Sequence, residues 1–163
     1  MKHWQRDDFT MKAKTIGLTL LLSLAAGAMC FANPTTGTWK LNEGKSKFGA
    51  GANKGETVVW STVGDQEKVT LDGTDANGKK MHTEWTGKLD GKDYPLTGDP
   101  TSDTRAFKTS GERTIEITSK KDGKVVGTGT IVVAPDGKSR TVTTTMTNAK
   151  GEKVTTTAVY DKS

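Results

Sequence analysis

The sequence predicts an all-β fold, an antiparallel up-and-down meander of about nine or ten short strands that forms a barrel or a sandwich. Three observations predict it. Runs rich in Thr, Val and Ile alternate inward and outward residues with a period of two, as half-buried strands do. Gly-bearing turns, most of them with Asp-Gly or Asn-Gly, separate them at intervals of about 10 residues. They are Asp75-Ala76-Asn77-Gly78-Lys79, Leu89-Asp90-Gly91-Lys92, Lys121-Asp122-Gly123-Lys124, Pro135-Asp136-Gly137-Lys138 and Asn148-Ala149-Lys150-Gly151. Beyond residue 32, no segment shows helical periodicity.

The N-terminus is read apart from the fold. Lys12 and Lys14 precede an apolar run from Ile16 to Met29, and Cys30-Phe31-Ala32 follows. This is the layout of a secretory signal peptide cleaved after Ala32. The run has about 14 residues, short of the roughly 18 to 20 a spanning helix needs. Asp7 and Asp8 are unusual ahead of such a run, which makes Met11 an alternative start. The expected organisation is a signal peptide over 1–32 and a single all-β domain over 33–163. That domain would be periplasmic or secreted, with no membrane span in its mature form. Cys30, the only cysteine, would leave with the peptide, so the mature chain would have no disulfide and no thiol chemistry. Of 24 basic and 19 acidic residues, four and two precede Asn33. The mature excess is then 20 against 17, spread without a basic block. That distribution argues against nucleic-acid binding, which needs a clustered basic face.

The strands follow in order. Thr36 to Leu41 opens the domain. Residues 42–55 hold four glycines around Phe48 and read as a loop, with Phe48 as a plug. Glu56 to Val63 is the second strand, and its Val58-Val59-Trp60 run predicts cover on both faces. Lys68 to Asp72 follows, with Val69 and Leu71 on one face. Met81, Thr83 and Trp85 then share a face opposite His82, Glu84 and Thr86. Tyr94-Pro95 makes Lys92 to Leu96 a short edge strand or a bend, because proline cannot donate to a ladder. Gly98 to Asp103 is a loop, and Thr104 to Lys108 a weak strand carrying Phe107. Arg113 to Ser119 points Ile115 and Ile117 inward. Lys124 to Ala134 places Val125, Gly127, Gly129, Ile131 and Val133 on one face. The last two strands place Arg140, Val142, Thr144 and Met146, then Val154, Thr156, Ala158 and Tyr160, on theirs.

Gly37-Thr38-Trp39 resembles the Gly-x-Trp signature of the calycins, which include lipocalins, fatty-acid-binding proteins and avidins. Thr-Gly-Thr-Trp-Lys-Leu is similar to openings in the fatty-acid-binding branch, and Ala158-Val159-Tyr160-Asp161-Lys162 resembles the way that branch ends. The mature segment also resembles small uncharacterised secreted bacterial proteins with the same Asp-Gly-Lys rhythm. The calycin resemblance implies a closed barrel, with Trp39 plugging one end and Arg140 stacked over it.

Candidate sites are few. The one histidine beyond residue 32, His82, lies opposite Met81 and Trp85, beside Glu84 and Lys80, and is expected in solvent. No Ser or Asp is spaced to complete a triad, so no catalytic residue and no enzyme activity are expected. No ligand cluster for a metal appears. In an EF-hand register Gly73 would fall on the first calcium ligand position. No cofactor is expected.

The candidate lumen lining is Trp60, Met81, Trp85, Tyr94, Phe107, Met146 and Tyr160, with hydroxyls from Thr83, Thr144 and Thr156. The expected function is non-enzymatic binding of a small apolar or amphipathic ligand in that lumen. The alternative is a cell-envelope structural or interaction protein acting through its Thr-rich outer faces, at Thr141, Thr143, Thr145, Thr155 and Thr157. A connected cavity above about 300 Å³ favours the first, and a filled core the second.

Overall fold

The computed structural model describes residues 33–148 and 150–163. The expected signal segment 1–32 lies outside them. Ten antiparallel strands form a closed barrel, the architecture that the calycin resemblance implies. They are β1 (Gly37–Lys47), β2 (Lys54–Val63), β3 (Gln66–Thr74), β4 (Lys80–Gly87), β5 (Tyr94–Thr97), β6 (Thr104–Gly111), β7 (Thr114–Lys121), β8 (Lys124–Val133), β9 (Ser139–Thr147) and β10 (Lys153–Lys162). Each strand pairs with its sequence neighbours, and β1 closes on β10 through Trp39 opposite Lys162 and Leu41 opposite Tyr160.

Tight turns set this register. In the β7–β8 turn Asp122 and Gly123 take φ of 50° and 75°, the left-handed values a two-residue hairpin needs. Asp75 uses one carboxylate oxygen to accept from the Asn77 and Lys79 amides, both at 2.9 Å, and so fixes the β3–β4 turn.

Four local expectations are corrected. The segment 42–55 is mostly strand: β1 continues to Lys47, and the connecting loop shrinks to residues 48–53. Gly44 falls where β1 bulges against β10 between Asn42 and Lys47, and Gly49 and Gly51 fall in the loop. Ser46 holds the bulge, its hydroxyl donating to the Asn42 carbonyl at 2.7 Å and accepting from the Val159 amide at 2.9 Å. The outer face of β2 is uncovered, since Val59 is 40% exposed. Tyr94–Thr97 is not an edge, because the closed sheet gives it partners on both sides, Trp85 with Leu96 and Tyr94 with Arg105. Finally, a bulge opposite Ser119 and Lys120 reverses the parity of β8, so Val125 faces out at 56% exposure while Gly127 stays buried.

Thr141, Thr143, Thr145, Thr155 and Thr157 stand on the outer face in cross-strand rows, opposite the inward Thr144 and Thr156. Thr118, Thr128, Thr145 and Thr155 form one row across β7 to β10, and the Thr145 and Thr155 hydroxyls lie 2.9 Å apart.

Two apolar clusters fill part of the interior. One gathers Trp60, Trp85, Leu96, Phe107, Ile115, Ile117 and Ile131, with Trp85 edge-on to Phe107 at 4.7 Å. The other gathers Trp39, Val58, Val133, Ala158 and Tyr160.

Gly98, at the β5–β6 connection, has φ of 78°, and a Cβ there would lie 1.8 Å from the His82 carbonyl oxygen. Gly98→Ala should therefore lower the unfolding free energy by about 2 kcal/mol or more, through strain and overlap together. Urea denaturation measures it, and an unchanged midpoint would refute the close approach.

Candidate functional site

The barrel interior is not filled. A cavity of about 830 Å³ runs through it, bordered by loop residues 48–53, 98–101 and 147–148 and by the Asp75–Met81 region. All of these lie at the end of the barrel away from Trp39. Val58, Val69, Leu71, Phe107, Ile117, Ile131, Val142 and Val154 give it apolar walls. Thr83, Ser119, Thr144 and Thr156 add hydroxyls, and Glu56, Arg105 and Arg140 add charge. Phe48 lies at the rim, 39% exposed, and lines the mouth without plugging it.

Of the seven expected lining residues, Trp60, Met81, Phe107, Met146 and Tyr160 border the cavity. Trp85 and Tyr94 do not. Trp85 is 2% exposed in the apolar cluster and donates its indole N–H to the Arg105 carbonyl at 2.9 Å. Tyr94 packs edge-on to Trp85 at 5.8 Å and sends its hydroxyl outward to Asp90. Both fall behind the lumen wall because β5 is short and Gly87, beside them on β4, leaves its space to the Tyr94 ring.

The end away from the mouth is sealed. Trp39 is fully buried and donates Nε1–H to the Thr35 carbonyl at 2.7 Å. The Arg140 guanidinium carbon lies 4.8 Å from the Trp39 ring centroid and 5.1 Å from that of Tyr160. Lys162 Nζ also lies 5.1 Å from Trp39. Burial lowers the Arg140 pKa to about 10, while Tyr160 and Glu56 oppose the shift. It stays a cation at neutral pH.

Two lumen charges escaped the sequence reading, although parity could have found them. Glu56 precedes Val58 by two on β2, and Arg105 precedes Phe107 by two on β6, so each shares an inward face. Glu56 is 8% exposed. It accepts the Tyr160 hydroxyl on Oε2 and the Asn53 amide on Oε1 at 3.0 Å. Gly73 leaves room for it, since a Cβ there would lie 3.1 Å from Glu56 Cγ. Burial, then the charge and hydrogen bond of Glu56, push the Tyr160 phenol well above its ordinary range, with Arg140 opposing. Arg105 donates to Ser119 Oγ at 3.1 Å and to Asp99 Oδ2 at 3.3 Å, which ties the 98–101 loop to the lumen wall. Its pKa is lowered by burial, against the pull of Asp99 and Glu56.

His82 is on the outer surface and meets Asp72 through Nδ1 at 2.7 Å, while its expected neighbour Glu84 pairs with Lys68. Among the described residues no group of three or more His, Cys, Asp or Glu is placed to hold a metal ion, and no helix is long and apolar enough to cross a membrane.

Fold and site together define a closed ten-stranded β-barrel with a lumen open at one end. No protein-family model matches the sequence, and no curated protein matches it. Among solved structures, the chain is similar to an S-type phycobiliprotein lyase from Guillardia theta, at 11% identity and a TM-score of 0.49, over 80% of this chain and 89% of that one. It is similar to the zebrafish ileal bile acid-binding protein complexed with cholic acid, at 11% identity and 0.45, over 80% and 99%. A redesigned β-barrel bound to DFHBI is similar at 14% identity and 0.41, over 79% and 95%.

Tyr160→Phe removes one of two donors to the Glu56 carboxylate and should cost about 1–3 kcal/mol of stability at neutral pH. The wild-type advantage should be complete below pH 10 and shrink above about pH 10, because the unfolded chain ionises this phenol there while the folded chain keeps it neutral. Urea titrations at pH 7 and pH 10.5 measure the advantage, and a constant difference would contradict the raised pKa.

Proposed function

We propose that this protein is a non-enzymatic carrier of a small apolar or amphipathic molecule held in the barrel lumen. The mature protein would act in the periplasm or outside the cell, after loss of residues 1–32. The observation that carries the reading is the cavity itself, about 830 Å³, sealed at the Trp39 end and bordered by loops at the other. That volume falls within the roughly 300–1,000 Å³ of small-molecule sites and above the threshold that separates a lumen from a filled core. Its walls suit an amphipath. Phe107, Ile117, Ile131 and Val142 offer apolar surface worth about 25 cal/mol per Å² buried, before ordering costs. Thr83, Thr144 and Thr156 offer hydroxyls to a polar group.

A carrier, not a catalyst, is supported by how the lumen side chains are engaged. The Ser119 hydroxyl meets a guanidinium, which cannot take its proton, and the Tyr160 phenol that donates to Glu56 has its pKa pushed well up, against the direction that activates a nucleophile.

Native mass spectrometry of residues 33–163 purified from an exporting cell should show a stoichiometric small-molecule adduct that co-extracts into organic solvent. Thr144→Phe, which projects a ring into the cavity, should weaken binding of a polarity-sensitive dye at least tenfold, whereas Thr143→Phe on the outer face should not. A clean apo mass, together with tryptophan emission indifferent to fatty acids and dyes, would sink the proposal.

A further inference from the structure

We propose that the lumen selects an amphiphile with a dipolar head, an anionic group and an N–H donor on adjacent carbons, and that Arg140 and Glu56 are the residues that read it. This rests on the lumen-carrier reading above and adds the class of ligand.

Arg140 borders the cavity yet is only 2% exposed, and its Nε and Nη1 have no hydrogen-bond partner. The Trp39 and Tyr160 rings lie near its guanidinium carbon and attract its charge. Ring stacking leaves the in-plane N–H groups unsatisfied. Buried donors without acceptors are costly, and nearly all such groups in proteins find a partner. The cavity that Arg140 borders is where an acceptor can come from, either a ligand group or a water. The edge of a guanidinium presents parallel donors that match a carboxylate or phosphate in two-point fashion.

Glu56 borders the same cavity and has the opposite need. Tyr160 and Asn53 take one site on each of its oxygens, out of about four that a carboxylate offers. Tyr160 joins the two residues. It is the register partner of Arg140, its ring lies beside the guanidinium, and its hydroxyl donates to Glu56. Lys79 and Lys80 border the cavity only at its mouth, where they are exposed, and the other interior cation among the described residues, Arg105, is already held by Ser119 and Asp99. What faces the ligand is thus one unpartnered cation and one under-used anion, a phenol ring apart. A simple anion would satisfy Arg140 but meet the charge of Glu56. A simple amine would do the reverse. A head carrying both groups satisfies both, and its chain runs along Phe107 and Ile117.

The test is calorimetric titration of the mature protein at neutral pH with three twelve-carbon probes: dodecanoate, dodecylamine and 2-aminododecanoate. The expected result is at least tenfold tighter binding of 2-aminododecanoate than of either single-charge probe. Glu56→Gln should collapse its advantage over dodecanoate towards one. Arg140→Lys, which keeps a cation near Trp39 but loses the forked donors, should weaken both carboxylate probes. If that variant does not fold, the Glu56→Gln ratio decides. Dodecanoate binding as tightly as 2-aminododecanoate to the wild type would overturn the dipolar head, with water filling the Arg140 donors, while leaving the carrier reading intact. Dodecylamine binding tightest would overturn it too. Binding of none of the three would overturn both.

Discussion

The interior depends on the last strand finding the first. Ten strands joined only to their neighbours would leave two open edges, each a row of unpaired amides and carbonyls. Pairing of β1 with β10, finished by the Ser163 amide donating to the Thr38 carbonyl at 2.9 Å, removes both. The seam joins residues more than a hundred positions apart, so its loop-closure cost is met only after the local hairpins exist. It is also irregular. Asn42 reaches Asp161 at 2.6 Å and Ser46 spans the bulge, so side chains repair a ladder that the backbone alone leaves broken. That seam brings Trp39 beside Tyr160 and lets the Tyr160 hydroxyl reach Glu56 on β2. Closure thereby creates both the sealed end and the polar patch.

Residue size divides the interior into a solid part and a hollow one. On β2, β4, β6 and β7 the inward positions hold Trp60, Trp85, Phe107, Ile115 and Ile117, which pack on one another at ring separations of 4.7 to 5.1 Å. On β8, β9 and β10 large inward residues such as Ile131, Met146 and Tyr160 are interspersed with Gly127, Gly129, Thr144, Thr156 and Ala158, whose side chains cannot reach across. Close packing therefore stops partway round the barrel, and the remaining volume is the lumen. No lid is needed to explain the cavity; the sequence of side-chain sizes around the sheet suffices.

Much of this was legible in advance. Period-two alternation and Asp-Gly turns locate ten strands because each hairpin is specified locally, and a chain of local hairpins has few topologies open to it. Parity also placed Trp60, Met81, Phe107, Met146 and Tyr160 on the lumen face. It failed where parity itself breaks. The β8 bulge turns Val125 outward, and nothing in Lys124-Val125-Val126-Gly127 announces an extra residue. Asn42 to Lys47 read as a loop because Gly44 weighs against a strand, while the Ser46 and Asn42 side chains that rescue it act across a seam invisible to local pattern. Trp85 has the right parity but the wrong depth, since Phe107 and Tyr94 cover it. Glu56 and Arg105 were passed over for a different reason. An inward charge contradicts the expectation of an apolar core, although the two-residue spacing to Val58 and Phe107 was there to be read.

That contradiction is itself informative. A buried cation without hydrogen-bond partners and a buried carboxylate both cost stability that an apolar residue of similar size would not. Local consistency prevails along the rest of the barrel, in its turns, its alternation and its paired Thr rows. It fails at Glu56 and Arg140, and both failures border the same cavity, where the closed sheet walls the sides and Trp39 stops one end. Departures from local rules gather where structure serves something besides folding. A barrel selected only for stability would have filled this space with side chains, as its own other half does. The lumen is hollow and polar at the positions where the fold gains least from it, and the Arg140 donors are among the hydrogen bonds the described chain leaves open.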